Sequence, residues 1–143
     1  MPEPITETIH IDAPPELVFE YFTQPASLVR WMGDFARLEP RPGGEFSVDL
    51  RGAPVRGRFL ELDPPHRLVI SWGYAGSREL PPGASTVEVR FRDEADGTLV
   101  ELEHRDLPPD DLPGHAAGWP HYLRRLRTLA GGRDPGDDPG HGP

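Results

Sequence analysis

The stretch 112–129 constrains this chain more than any other. Trp119, Tyr122, Leu123, Leu126 and Leu129 recur at steps of three and four, which places them on one face of a helix, while Arg124, Arg125 and Arg127 fall on other faces. No other segment reads as so long a helix, and most of the chain before it alternates with period two. One amphipathic helix laid on one antiparallel sheet buries both apolar faces in two layers. Pro120 interrupts the pattern, because an interior proline removes a hydrogen bond and costs about 3 kcal/mol. The helix is therefore expected either to kink at Pro120 or to start near Gly118, and Gly131-Gly132 is its stop.

Ahead of that helix, Ile5, Ile9 and Ile11 alternate with Thr6, Thr8 and His10 as a half-buried first strand. Asp12-Ala-Pro-Pro-Glu stops the strand and opens a helix with Leu17, Val18, Tyr21 and Phe22 as its apolar face, capped at Asp12 or Ala13. A second short helix is expected over 26–32, ended by Gly33-Asp34. Strands are then expected over 35–39, 45–50, 55–62, 68–73, 86–92 and 99–104, separated by Gly- and Pro-containing turns. In the 55–62 strand, Phe59-Leu60 gives both faces an apolar residue. Two leucines outweigh one Phe beside a charge, so Leu60 and Leu62 are read inward and Glu61 into solvent; the opposite register turns Phe59 and Glu61 inward. On the outer face of the last hairpin, Glu88, Arg90 and Arg92 are placed to meet Glu101 and Glu103.

At 143 residues one domain is expected, over 1–132. Residues 133–143 carry nothing apolar beyond Pro and Gly and are expected to be a disordered tail. The net charge of −9, from 24 acidic and 15 basic residues, disfavours a nucleic-acid partner or an anionic membrane surface. The absence of cysteine removes disulfides, a thiolate nucleophile and thiolate metal sites. No apolar run approaches the roughly 18 residues of a membrane span, and the N-terminus lacks the basic and apolar regions of a signal peptide. A cytoplasmic protein is expected.

The order is strand, two short helices, about six further antiparallel strands and one long C-terminal helix. This is an α+β helix-grip arrangement, a curved antiparallel sheet of six to seven strands wrapped around the helix. Asp12-Ala-Pro-Pro-Glu-Leu-Val-Phe, Leu28-Val-Arg-Trp-Met-Gly, Pro42-Gly-Gly-Glu-Phe, the run from Arg56 to Trp72, Gly97-Thr-Leu-Val-Glu-Leu-Glu-His and Gly118-Trp-x-x-Tyr-Leu-x-x-Leu carry a resemblance. Together they resemble the SRPBCC (START/birch-pollen-allergen-like) superfamily. Within it they are similar to the bacterial branch related to the C-terminal domain of the heat-shock-protein-90 ATPase activator. The resemblance spans about residues 5 to 131. Met32 stands where a second Trp is common, and Pro120 is a departure.

The resemblance implies a cavity between sheet and long helix, of the kind the superfamily uses for lipids, hormones and polyketide intermediates. The residues expected to line it are Trp31, Met32, Phe46, Val48, Phe59, Ile70, Trp72, Val89, Phe91, Val100, Leu102, His104, Trp119, Tyr122 and Leu123. Trp72, Trp119 and Tyr122 each combine a large apolar surface with one hydrogen-bonding atom. The competing reading is that these residues simply fill a core.

His104 and Tyr122 are the candidates for proton transfer, although no catalytic residue is assigned. His115 and His121 are six apart, a poor spacing for one helix face, so no metal site is expected. No phosphate loop, dinucleotide fingerprint or Gly-x-Ser-x-Gly motif appears, so no cofactor is expected either. The leading expectation is a non-enzymatic binder of a small hydrophobic molecule (a lipid, polyketide or aromatic), gated by the segment around Trp31 and the 74–83 loop. The rivals are an aromatase/cyclase-like enzyme using the same cavity and a chaperone-regulating interaction domain in stress response, with a chaperone partner. A homodimer is open.

Overall fold

The computed structural model describes residues 3–136 and Asp138. Strand β1 (Ile5–Ile11) leads into helices α1 (Pro15–Thr23) and α2 (Pro25–Leu28). Strands β2 (Phe35–Leu38), β3 (Glu45–Leu50), β4 (Ala53–Asp63), β5 (Arg67–Tyr74), β6 (Ser85–Glu94) and β7 (Gly97–Arg105) follow. A 3-10 turn over Pro109–Asp111 opens the long helix α3 (Leu112–Ala130). The seven strands form one antiparallel sheet in the order β1-β7-β6-β5-β4-β3-β2, with β1 and β2 as its edges. The first strand thus pairs with the last, Ile9 opposite Val100, and the α+β helix-grip architecture is as expected.

Period-two alternation produces this sheet directly. Val87, Val89 and Phe91 on β6 and Val100, Leu102 and His104 on β7 are buried, with Val89 opposite Leu102 and Phe91 opposite Val100. Ala95 and Asp96 link these strands, both at positive φ (44° and 68°), the pattern of a two-residue hairpin turn matched to strand twist. On the outer face Arg92 pairs with Glu101 as expected. Glu88 instead gathers Arg67, Arg90 and Arg105 at 2.9, 2.9 and 3.1 Å, and with Arg67 foremost they pull its carboxyl down to about 2.

Strand β4 corrects the expected register. Phe59 is fully buried, and Leu60, read as inward, is 44% exposed. The pairing steps from Phe59↔Ile70 to Glu61↔Val69, so Leu60 is the extra residue of a β-bulge. The bulge switches parity: Phe59 points in before it, and Leu62 packs against the core after it. Glu61 faces solvent as read and pairs with Arg67 at 2.9 Å.

The α3 face is buried at Trp119, Tyr122, Leu123, Leu126 and Leu129. Helix α3 begins at Leu112 and runs through Pro120, so the late start near Gly118 is not the one taken. The ring deprives the Ala116 carbonyl of its helical donor, and Ala116 is exposed, so water can reach that carbonyl. Helices α1 and α2 close the other end of the core. Phe91 meets Phe19 and Phe22 edge-on, each with ring centroids 5.3 Å apart, and Phe22 meets Trp31 at 4.9 Å.

The 74–83 loop folds back on the sheet. Its Leu80 is fully buried, and the Leu80 carbonyl accepts the Tyr74 N–H at 2.8 Å. Gly73 permits this return, since a Cβ there would lie 1.9 Å from the Pro81 carbonyl oxygen. Beyond α3, the Arg125 guanidinium donates to the Pro135 and Gly136 carbonyls at 3.3 and 3.0 Å, and His121 Nε2 lies 2.7 Å from Asp138 Oδ1. Residues 137 and 139–143 of the tail expected to be disordered lie outside the described residues.

Candidate functional site

A semi-open cavity of about 250 Å³ lies where the first half of α3 crosses β5. Its walls are Met32, Leu50, Trp72, Tyr74, Asp110, Asp111, Gly114, His115, Gly118, Trp119 and Tyr122. Helix geometry explains the α3 contribution: His115, Gly118, Trp119 and Tyr122 are three, four and seven residues apart and share one face. Gly118 keeps that face low between two bulky neighbours. Strand geometry explains Trp72 and Tyr74, two apart on β5 and therefore on one side of the sheet.

Of the residues expected to line a cavity, Met32, Trp72, Trp119 and Tyr122 do so. Phe46, Val48, Phe59, Ile70, Val89, Phe91, Val100, Leu102 and Leu123 are packed in the core beneath. Trp31 is also buried there and donates its indole N–H to the Tyr21 carbonyl at 2.9 Å, on the α1 side. These side chains fill the interior beneath the cavity, which lies at the N-terminal half of α3.

His104 sits directly behind the cavity and has no exposed surface. The Trp119 indole N–H donates to its Nδ1 at 3.0 Å. Its other nitrogen therefore carries the proton, which Nε2 donates to Ser85 Oγ at 2.8 Å. The Ser85 hydroxyl in turn donates to the Trp72 carbonyl at 2.7 Å. Both ring nitrogens are committed, and the chain of bonds ties α3 to β7, β6 and β5. Burial pushes the imidazole down to about 3, and neighbouring His115 adds in the same direction. A proton on Nδ1 would confront the Trp119 N–H. This geometry makes His104 a structural clamp and leaves it no lone pair for a ligand.

Polar atoms at the cavity come from other residues. His115 Nδ1 donates to the Asp111 carbonyl at 2.7 Å, and its Nε2 accepts from the Trp72 indole N–H at 3.3 Å and the Tyr74 hydroxyl at 2.9 Å. Tyr122 is held protonated at neutral pH, its hydroxyl pushed up to about 12 by burial, with the Asp138 charge adding to it. It can donate a hydrogen bond but is a poor base. Burial also raises the Tyr74 hydroxyl, and the nearby Asp111 charge contributes in that direction. Sequence reading leaves Tyr74, Asp111, His115 and Gly118 out of the cavity wall: it takes Tyr74 as part of the gate loop and His115 only as a rejected metal ligand, and no spacing rule links β5 to the first turns of α3. Among the described residues, no three His, Asp or Glu side chains come together as a metal-ligand set.

Fold and site together define a helix-grip domain with a small aromatic-walled cavity under its C-terminal helix. The sequence model of the family described as activator of Hsp90 ATPase homolog 1-like protein matches residues 12–131, and the chain belongs to that family. An AHSA1-like protein from Rhizobium etli is 45% identical, covers 100% of this chain and 92% of its own, and superposes with a TM-score of 0.77. CalU16 from Micromonospora echinospora is 34% identical over 95% of this chain and 77% of its own, with a TM-score of 0.75. An HSP90 activator from Plasmodium falciparum is 26% identical, covers 91% of this chain and 97% of its own, and has a TM-score of 0.77. An uncharacterized protein of Schizosaccharomyces pombe is 27% identical over 89% of this chain, which spans 37% of that relative's length. No helix among the described residues is long and apolar enough to cross a membrane.

Proposed function

We propose that this protein binds a small, mainly apolar, ring-containing molecule in the cavity between α3 and β5, in the cytoplasm and without catalysis. The observation that carries the reading is the composition of the walls. Trp72, Tyr74, Trp119 and Tyr122 supply aromatic surface, while Asp111, His115 and the tyrosine hydroxyls supply a few polar atoms. Ligand pockets are built in this way, with apolar area for affinity and sparse polar groups for orientation. A volume near 250 Å³ suits one or two rings. Burial of apolar ligand surface, at about 25 cal/mol per Å², would supply the binding energy.

The enzyme reading loses its expected acid–base group, because His104 is fully engaged. The chaperone reading draws on the likeness to the Plasmodium HSP90 activator. It calls for an exposed apolar or charged patch; the large exposed apolar side chains among the described residues, Leu17, Phe35 and Leu60, belong to three different elements, which leaves a charged surface as its basis.

Gly114 provides a test that separates binding from folding. It lines the cavity, yet a Cβ there meets nothing within 4 Å. Gly114→Trp is expected to leave the melting temperature unchanged or slightly raised, since replacing a helical glycine removes a penalty of up to about 1 kcal/mol. Binding of small aromatic molecules, measured by thermal shift across a panel, is expected to fall about tenfold or more. If the panel shifts wild type and variant equally, the ligand does not occupy this cavity.

A further inference from the structure

The C-terminal half of α3 borders a second recess, of about 920 Å³. Its other walls are the segment around Arg30 and Asp34, the β3–β4 turn at Arg51, and the chain that follows α3. The body of the domain brings three arginines to it, Arg30, Arg51 and Arg125, against one acid, Asp34. On a chain of net charge −9 this is a local reversal of sign. Among the described residues none of the three arginines is ion-paired. Arg125 is aimed by the body itself, donating to the Trp31 and Arg30 carbonyls at 3.2 and 3.4 Å. The chain's own tail then lies on this face, held by its backbone. Arg125 donates to the Pro135 and Gly136 carbonyls, and Arg51 to the Asp138 carbonyl.

Guanidinium donors that take main-chain carbonyls hold a peptide of almost any sequence, and their positive charge selects acidic ones. Carbonyls leave that charge unneutralised, whereas a carboxylate meets the planar fork with two charge-assisted bonds. The tail is itself acidic, with Asp134 and Asp138 at the recess, although Asp134 Oδ1 accepts the Gly136 N–H and Asp138 Oδ1 lies against His121. We propose that this arginine-lined recess is the docking seat for an acidic peptide segment of a partner protein, with the tail as its resident competitor. The proposal is independent of the cavity reading, and it supplies the charged surface that an interaction role calls for. A nucleic acid fits less well, because the net charge of −9 opposes a long phosphate chain.

The test is fluorescence anisotropy at low salt with the full chain. The probes are a labelled peptide Glu-Asp-Gly-Glu-Asp-Pro-Glu-Asp, its amide counterpart Gln-Asn-Gly-Gln-Asn-Pro-Gln-Asn, and an oligouridylate of equal charge. The acidic peptide is expected to bind about tenfold or more tightly than the amide peptide. Arg51→Gln is expected to weaken it about fivefold with the melting temperature unchanged, since Arg51 is exposed and, among the described residues, its side chain donates only to the tail. Asp134→Asn with Asp138→Asn is expected to tighten it about threefold by loosening the tail. Asp93→Asn with Asp96→Asn makes the same change in net charge at the exposed β6–β7 turn and is expected to give less than half that gain. Equal binding of the acidic and amide peptides, no effect of Arg51→Gln, or oligouridylate bound as tightly as the acidic peptide overturns the docking seat. Equal gains from the two aspartate pairs overturn the competition by the tail. None of these results bears on the cavity under α3, whose walls the variants leave intact.

Discussion

Acidification from pH 7 to about 4.5 is expected to cost the protein about 2–3 kcal/mol of stability through His104 alone. The native imidazole titrates near 3, whereas an unfolded histidine titrates near its ordinary value of 6.5. The unfolded chain therefore takes up a proton that the native state refuses. The stabilisation is fully present above 6.5 and is lost as pH falls from 6.5 toward 3, at about 1.4 kcal/mol per pH unit. Glu88 has its carboxyl held near 2, so its contribution is lost only below about 4.5 and leaves the upper window to His104. His10 has the opposite sign. Its pKa is raised chiefly by its hydrogen bond to Glu94, so its contribution is present at low pH and lost as pH rises; being exposed, it is a minor opponent. Urea unfolding at several pH values between 7 and 4.5 measures the slope. His104→Gln is expected to be the less stable protein at pH 7, by about 1–3 kcal/mol, and to show a flatter profile in this window. Parallel profiles for wild type and variant would mean that His104 is not the group responsible.

Phe91→Ala is expected to cost about 3–5 kcal/mol and to lower the melting temperature by about 10–20 °C. Phe91 is 1% exposed and stands where α1 meets the sheet, with Phe19 and Phe22 both edge-on to its ring. Truncation removes a large buried surface and leaves a cavity that α1 and the sheet would have to collapse together to fill. Leu60→Ala, at the bulge of β4, is expected to change stability by less than about 0.5 kcal/mol, because Leu60 already faces solvent. Thermal melts of both variants check the pair. A similar loss at the two positions would contradict the register assigned to β4.

The sheet and the buried face of α3 were legible because periodicity records which face is buried. Val87, Val89 and Phe91 could only be a strand with one inner face, and Trp119 to Leu129 only a helix with one. Two local features hid the rest. The bulge at Leu60 breaks parity within a single strand, and no alternation rule can place Phe59 and Leu62 on the same side when an extra residue intervenes. Pro120 left a late helix start open, whereas the carbonyl it frees lies at an exposed turn and the helix runs from Leu112. The start at Leu112 turns His115 toward Trp72 and puts Asp111 at the cap, contacts between α3 and β5 that no local pattern records. His104 was legible as inward-facing but not as satisfied, since Ser85 and Trp119 come from 19 and 15 residues away.

The indole N–H groups of the three tryptophans offer the most direct measurement of the cavity claim. Trp72 and Trp119 line the cavity, and Trp31 is buried elsewhere with its N–H on the Tyr21 carbonyl. Titrating a small aromatic ligand into nitrogen-15-labelled protein should move the Trp72 and Trp119 indole resonances in saturating fashion and leave that of Trp31 in place. Equal movement of all three, or movement of none across a panel of small aromatic molecules, would contradict the account.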